Sequence, residues 1–180
     1  MPRYVALLRG INVTGHNKIT MAELKQLFGT LGHTDVATYL QSGNVIFTTR
    51  SQKRAAIGPN IEGQIKKDLG LDVRVLIRTP AELEKVIAGN PFARAKDAPK
   101  SLYVTFLAAP ADKARASALD GFAAPPDEFR VDGLHVYLRC PKGYGRSKLN
   151  NTFWERKLAL DATTRNWNTV QACLELASGS

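Results

Sequence analysis

Three stretches of the chain carry polar side chains beyond what folding alone requires. The first, Arg9-Gly-Ile-Asn-Val-Thr-Gly-His-Asn-Lys18, joins an apolar run to a helix signal. Backbone amides and a helix dipole at such a junction favour an anion. Arg9 emerges from the apolar run, and a buried, unpaired arginine would cost about 3–5 kcal/mol, so it must find partners. Asn12 and Asn17 either hold turns or reach toward a ligand. The glycine spacing fits neither a phosphate-binding P-loop nor a dinucleotide loop. The second stretch is Tyr39-Leu-Gln-Ser-Gly-Asn-Val45. Gly43 and Asn44 suit positive φ in a tight turn, whereas Gln41 and Ser42 are less demanded by turn chemistry. Ser42 lacks the flanking glycines of a nucleophile elbow.

The third cluster combines Lys142-Gly-Tyr-Gly-Arg-Ser-Lys148, which reads as a mobile basic loop, with Thr163-Thr-Arg-Asn-Trp-Asn-Thr169. Asn166 or Asn168 can cap a final helix, with Trp167 as its hydrophobic staple. Capping leaves Arg165 unexplained; with Lys148 it would give charge-assisted donors to a carboxylate or phosphate. Clusters rich in Arg, Lys, Asn, Gln and Ser but poor in acids are built to donate hydrogen bonds to something anionic. No catalytic residue is assigned; acid–base chemistry would have to use Lys148, Tyr39, Tyr144 or a histidine. His16, His33, His135, Cys140 and Cys173 have no metal-ligand or disulfide spacing, so no metal or cofactor is expected.

Charge supports the same reading without deciding it. The formal net charge is +9, divided nearly evenly between residues 1–90 and 91–180. The densest segment, Arg139 to Arg165, holds seven basic side chains against Glu155 and Asp161. A solvated basic face explains such a run as well as an anion site does. No run of about 18 apolar residues exists, so no membrane span is expected. The N-terminal apolar run ends at Arg9 without a small-residue cleavage site, unlike a signal peptide. Two unpaired cysteines fit a reducing cytoplasm.

The elements that must position these clusters follow from hydrophobic period and punctuation. Strands are expected at 4–9, 36–41, 45–49 and 73–78, with a tight turn at Ser42-Gly43-Asn44. Thr20-Met-Ala-Glu23 is a capping box opening a helix with Leu24, Leu27, Phe28 and Leu31 on one face. A second helix is expected over 57–69, and Thr79-Pro-Ala-Glu82 opens a third to about 88. The order then repeats. Strands fall at 102–108, 128–131, 134–140 and 161–165, with a turn at Asp132-Gly133. Helices fall at 111–120, after a Thr152-Phe-Trp-Glu155 box, and at 169–177. Leu134 to Arg139 alternates, which predicts one wet or functional face. The fold class is therefore α+β: two ferredoxin-like β-α-β-β-α-β halves, 1–90 and 91–180, each followed by a helix and related by duplication.

Taken together, these stretches resemble domain-of-unknown-function family 1697, an uncharacterised bacterial family. The resemblance rests on Leu8-Arg-Gly-Ile-Asn-Val13 with Asn17, Met21 and Leu24, on Tyr39 to Val45, on Lys148-Leu-Asn-Asn and on Thr164-Arg-Asn-Trp-Asn-Thr169. It spans nearly the whole chain. It implies that the three clusters belong together, and it brings no activity with it. His16 stands where the family more usually shows glycine or another small residue, which argues against a catalytic histidine there.

The expectation is a binding protein, monomer or homodimer, for an anionic ligand at the junction of the two halves. Arg9, Asn12, Asn17, Gln41, Ser42 and Asn44 would meet Lys148, Arg165, Asn166 and Trp167 around a nucleotide, another phosphate-containing molecule or RNA, with Trp167 or Tyr144 as a stacking platform. Two alternatives stay open. One is an enzyme on a phosphorylated or carboxylated small molecule with Lys148 as acid or base. The other is a structural protein whose clusters only cap helices and bridge the halves.

Overall fold

The computed structural model describes residues 1–50 and 53–179. Its elements are β1 (Arg3–Leu8), α1 (Met21–Thr30), β2 (Thr34–Tyr39), β3 (Asn44–Thr48), α2 (Arg54–Leu69), β4 (Val75–Arg78) and α3 (Pro80–Ala88), followed by β5 (Leu102–Leu107), α4 (Lys113–Ser117), β6 (Glu128–Asp132), β7 (His135–Arg139), α5 (Asn151–Leu158), β8 (Ala162–Asn166) and α6 (Trp167–Ala177). They build two four-stranded antiparallel sheets of identical order, β2-β3-β1-β4 and β6-β7-β5-β8. This is the expected α+β duplication, with the first and third strands of each repeat side by side. Contacts divide the chain into one unit of Met1–Lys85 with Ala172–Ser180, and a second of Val86–Gln171. Within the first, Arg3 Nη2 donates to the Leu176 carbonyl at 3.3 Å.

The first unit packs Leu24, Leu27 and Phe28 of α1 and Ile57, Ile61 and Ile65 of α2 onto Tyr4, Ala6, Leu8, Val45 and Phe47. Each leucine, isoleucine, valine or phenylalanine side chain so removed from water is worth about 1.5–3 kcal/mol. Thr20 and Thr79 both form the expected capping boxes, with Glu23 and Glu82. In the second unit Trp154 of α5, fully buried, sits among Leu138, Leu149 and Leu158, and its indole N–H donates to the Leu149 carbonyl at 3.0 Å.

Local differences from the sequence expectation have local causes. The α4 helix is five residues long rather than ten, because none of its side chains is buried and nothing rewards its extension. The α5 cap is Asn150, which accepts from the Phe153 amide at 3.0 Å, not Thr152. Glu155, the partner Thr152 would need, instead accepts from Asn151 Nδ2 and the Ala162 amide. The second hairpin turns one residue later than expected, since Asp132 pairs with His135 across Gly133 and Leu134. Strand β7 has no wet face: Tyr137 is buried with its hydroxyl donating to the Val86 carbonyl at 2.8 Å, and Arg139 is bridged to Asp97 and Glu128.

His33 has a measurable consequence. It is buried between Phe28 and Phe47, with ring centroids 5.8 and 4.7 Å away, and neither ring nitrogen has a hydrogen-bond partner among the described residues. Burial lowers its pKa, so the folded state resists the proton that the unfolded chain accepts. The stability tied to neutral His33 is complete above the unfolded value of about 6.5 and declines as pH falls below it. Urea unfolding at about pH 7.5 and about pH 5 should show this loss in the native protein. His33→Phe should reduce it; an unchanged pH dependence in that variant contradicts the assignment.

Candidate functional site

In the first unit the two polar stretches are clipped together. Asn12 Oδ1 accepts from the Ile19 amide at 2.9 Å, while its Nδ2 donates to the Ile19 and Gln41 carbonyls at 2.9 and 2.8 Å. Asn17 Nδ2 donates to the Gly10 carbonyl at 3.1 Å. Both asparagines hold left-handed backbone, φ 54° and 49°, which asparagine tolerates better than most residues. Gly43 (φ +87°) is required twice over, because a Cβ there would stand 2.6 Å from Ile11 Cδ1 and 2.9 Å from Leu8 Cβ. The second positive φ of this turn belongs to Leu40, not Asn44. Asn44 is a buried residue of β3 whose Nδ2 donates to the Tyr39 carbonyl at 2.7 Å and to Ser42 Oγ at 3.1 Å.

These amides therefore fix backbone. Arg9 is half-buried and its amide donates to the Arg74 carbonyl; Gln41 and Ser42 are exposed. A hollow of about 620 Å³ at the start of α1 is bordered by Asn12, Lys18, Met21 and Gln41.

In the second unit Arg165 is buried, and its Nη1 donates to Thr163 Oγ1 at 2.7 Å and the Thr164 carbonyl at 3.0 Å. Asn166 caps α6 by accepting from the Thr169 amide at 2.8 Å. Trp167 is only 5% exposed, leaving no ring face for stacking. The first sheet has an arginine at the matching place, which the sequence reading missed. Arg78 pairs with Val5 of β1 as Arg165 pairs with Val104 of β5. Burial pushes the Arg78 pKa down to about 10, with Glu82 opposing the shift.

Lys148 lies elsewhere in that unit, in a basic hollow. Lys142, Arg146 and Lys148 line a space of about 200 Å³ whose far wall is Ala123 to Asp127. All three cations are exposed. Among the described residues none has a carboxylate within ion-pair distance. Asp127, the acid in the wall, accepts from Ser147 Oγ at 2.7 Å.

The basic loop is fastened rather than loose. Residues Tyr144–Arg146 form one turn of 3-10 helix, and Ser147, itself buried, also accepts from the Leu149 amide at 3.0 Å. Tyr144 donates to Thr164 Oγ1 at 3.2 Å, and Thr164 in turn meets Thr105 at 2.8 Å and Asn151 at 3.3 Å. Burial raises the Tyr144 pKa against the opposing Thr164 bond, keeping the phenol a donor. Burial likewise pushes the neighbouring Cys140 thiol up to about 11, far from a nucleophilic thiolate at neutral pH.

The arrangement offers three cationic donors on a fixed frame to an anion. The sequence pointed to Lys148 and the loop around it, but not to Asp127, because an aspartate 20 residues before the Ser147 it binds leaves no local spacing signal. Among the described residues no group of three or more His, Cys, Asp or Glu side chains is placed to hold a metal ion. Nor is any helix long and apolar enough to cross a membrane.

The two sheets of identical order define a duplicated α+β protein. The chain belongs to the protein family of unknown function DUF1697, whose family model matches residues 1–137. It is similar in structure to the conserved bacterial protein SP0830 from Streptococcus pneumoniae, with a TM-score of 0.74, 22% identity and 98% of each chain covered. That likeness shows the shared fold. No curated protein matches the chain.

Two substitutions test the structural role of the first-unit motifs. Asn12→Ala should cost about 1–3 kcal/mol in urea unfolding, since it strips partners from Ile19 and Gln41. Gly43→Ala should cost about 2 kcal/mol or more through strain and overpacking. Losses below about 0.5 kcal/mol, the usual effect of a surface change, would show that these residues are held for another reason.

Proposed function

We propose that the protein binds an anionic, phosphate-type ligand, and that the basic hollow of the second unit is where it does so. The supporting observation is the set of Lys142, Arg146 and Lys148 around one small space without carboxylate partners, while Arg139 nearby is doubly neutralised. Unpaired surface cations ordinarily point apart into solvent; here their loop is pinned through Ser147 and Tyr144 to the Asp127 wall and the sheet. Donors held in place before binding lose less side-chain entropy on capture. A site of this size suits a phosphoryl group with a small attachment. Both cysteines are free and buried, which suits a reducing compartment.

Titration with pyrophosphate tests this. Lys142→Ala, Arg146→Ala and Lys148→Ala should each weaken binding roughly threefold to tenfold, since exposed charges are partly screened. The triple variant should lose binding while its thermal midpoint stays close to that of the parent. Affinities unchanged by all three substitutions would remove the hollow from consideration. Salt separates a pocketed anion from a strand of nucleic acid. Contact through about six phosphates would lose roughly a thousandfold in affinity between 50 and 200 mM salt, and a single phosphoryl group far less.

A further inference from the structure

The basic hollow does not end at its own wall. Ala123 and Asp127 also border a second, larger space of about 580 Å³. Its character differs. Phe92, Phe122 and Phe129 contribute rings, and Phe122 remains 39% exposed, one of few large apolar side chains so open in this chain. The ring of Phe122 is nonetheless held, with its centroid 5.2 Å from Phe153 and 6.4 Å from Phe129. Phe153 and Phe129 lie in turn 4.9 and 5.1 Å from the fully buried Trp154. An exposed aromatic braced by two others, themselves packed on Trp154, offers a stacking surface with little rotational freedom left to lose. Asp120 stands at the same chamber, exposed, as an acceptor for hydroxyl or amino hydrogens.

We infer that the ligand is a nucleoside monophosphate, its phosphoryl group among Lys142, Arg146 and Lys148 and its base in the adjoining chamber against Phe122. This rests on the anion-binding reading above and adds the ring. Inorganic anions would leave the aromatic chamber unused. A ring without phosphate would leave the cations unused. The two spaces have Ala123 and Asp127 in common on their borders, so they adjoin at the distance a short sugar spacer would have to bridge. Asp120, Asp127 and Glu128 border the chamber against the one cation Arg130, an acid excess that suits the amino group of a base and the ribose hydroxyls rather than a second phosphate. Asp120 is free to accept, while Glu128 is drawn to Arg139 and Asp127 to Ser147.

Calorimetric titration of the full chain with ribose 5-phosphate and with the four ribonucleoside 5′-monophosphates tests the inference. At least one nucleotide should bind roughly tenfold tighter than ribose 5-phosphate, within the range one stacked base supplies. Phe122→Leu keeps the apolar contact but removes the π-face, and should erase that advantage without changing ribose 5-phosphate binding. Phe122→Trp should retain or increase it. If ribose 5-phosphate binds, depends on Lys142 and Lys148, and every nucleotide only equals it, the base chamber is wrong while the anion site stands. If neither class binds, both fall. A short oligoadenylate that binds far more tightly than the mononucleotide, with a steep salt dependence, would replace the small-molecule assignment by a single-stranded nucleic acid.

Discussion

Both sheets bury successive residues of their central strands, and the chemistry of the molecule follows from that constraint. In β1, β3 and β4 nearly every side chain is withdrawn from water on either face, and β5 and β7 are almost as fully covered. A polar group on such a surface must be satisfied where it stands. Arg78, Arg165, Tyr137 and Asn44 are all satisfied by nearby carbonyls or hydroxyls. Side chains that are both fixed and wet are found instead on the loops beyond the strand ends, where the proposed site lies.

The loops meet that condition unequally. Around Asn12 and Gly43 the chain is clipped segment to segment, through the Asn12 amide and the close approach of Gly43 to Ile11 and Leu8. Around Ser147 the arrangement is reversed. The backbone is secured by a serine, a tyrosine and an asparagine cap, and the cations of the loop are exposed. The Tyr144–Thr164–Thr105 chain runs from this loop into the sheet, so the position of the loop is set by the fold.

Much of the architecture was legible in the sequence because it is local. The Thr20 and Thr79 boxes, the Asn166 cap and the strand periodicity all act within a few residues. The errors were also local competitions: Asn150 outcompetes Thr152 for a helix start, and an unburied segment after Asp112 ends its helix early. The site was less legible for a different reason. Arg165 and Trp167 stood out as unusual residues in a polar run, and their burial depends on packing that no local pattern reveals. Asp127, Phe122 and Phe129 looked ordinary, and only their place on the borders of the two hollows brings them into the proposed site.

The proposed site depends on a frame, fixed through Ser147 and Asp127, that presents Lys142, Arg146 and Lys148 to a phosphoryl group. Amide-resolved NMR during titration with ribose 5-phosphate tests it directly. The shifts should concentrate at Gly143 to Lys148 and Ala123 to Asp127, and Ser147→Ala should disperse or weaken them. Saturable shifts centred instead on the loop from Gly10 to Ile19, with residues 143–148 unmoved, would contradict it.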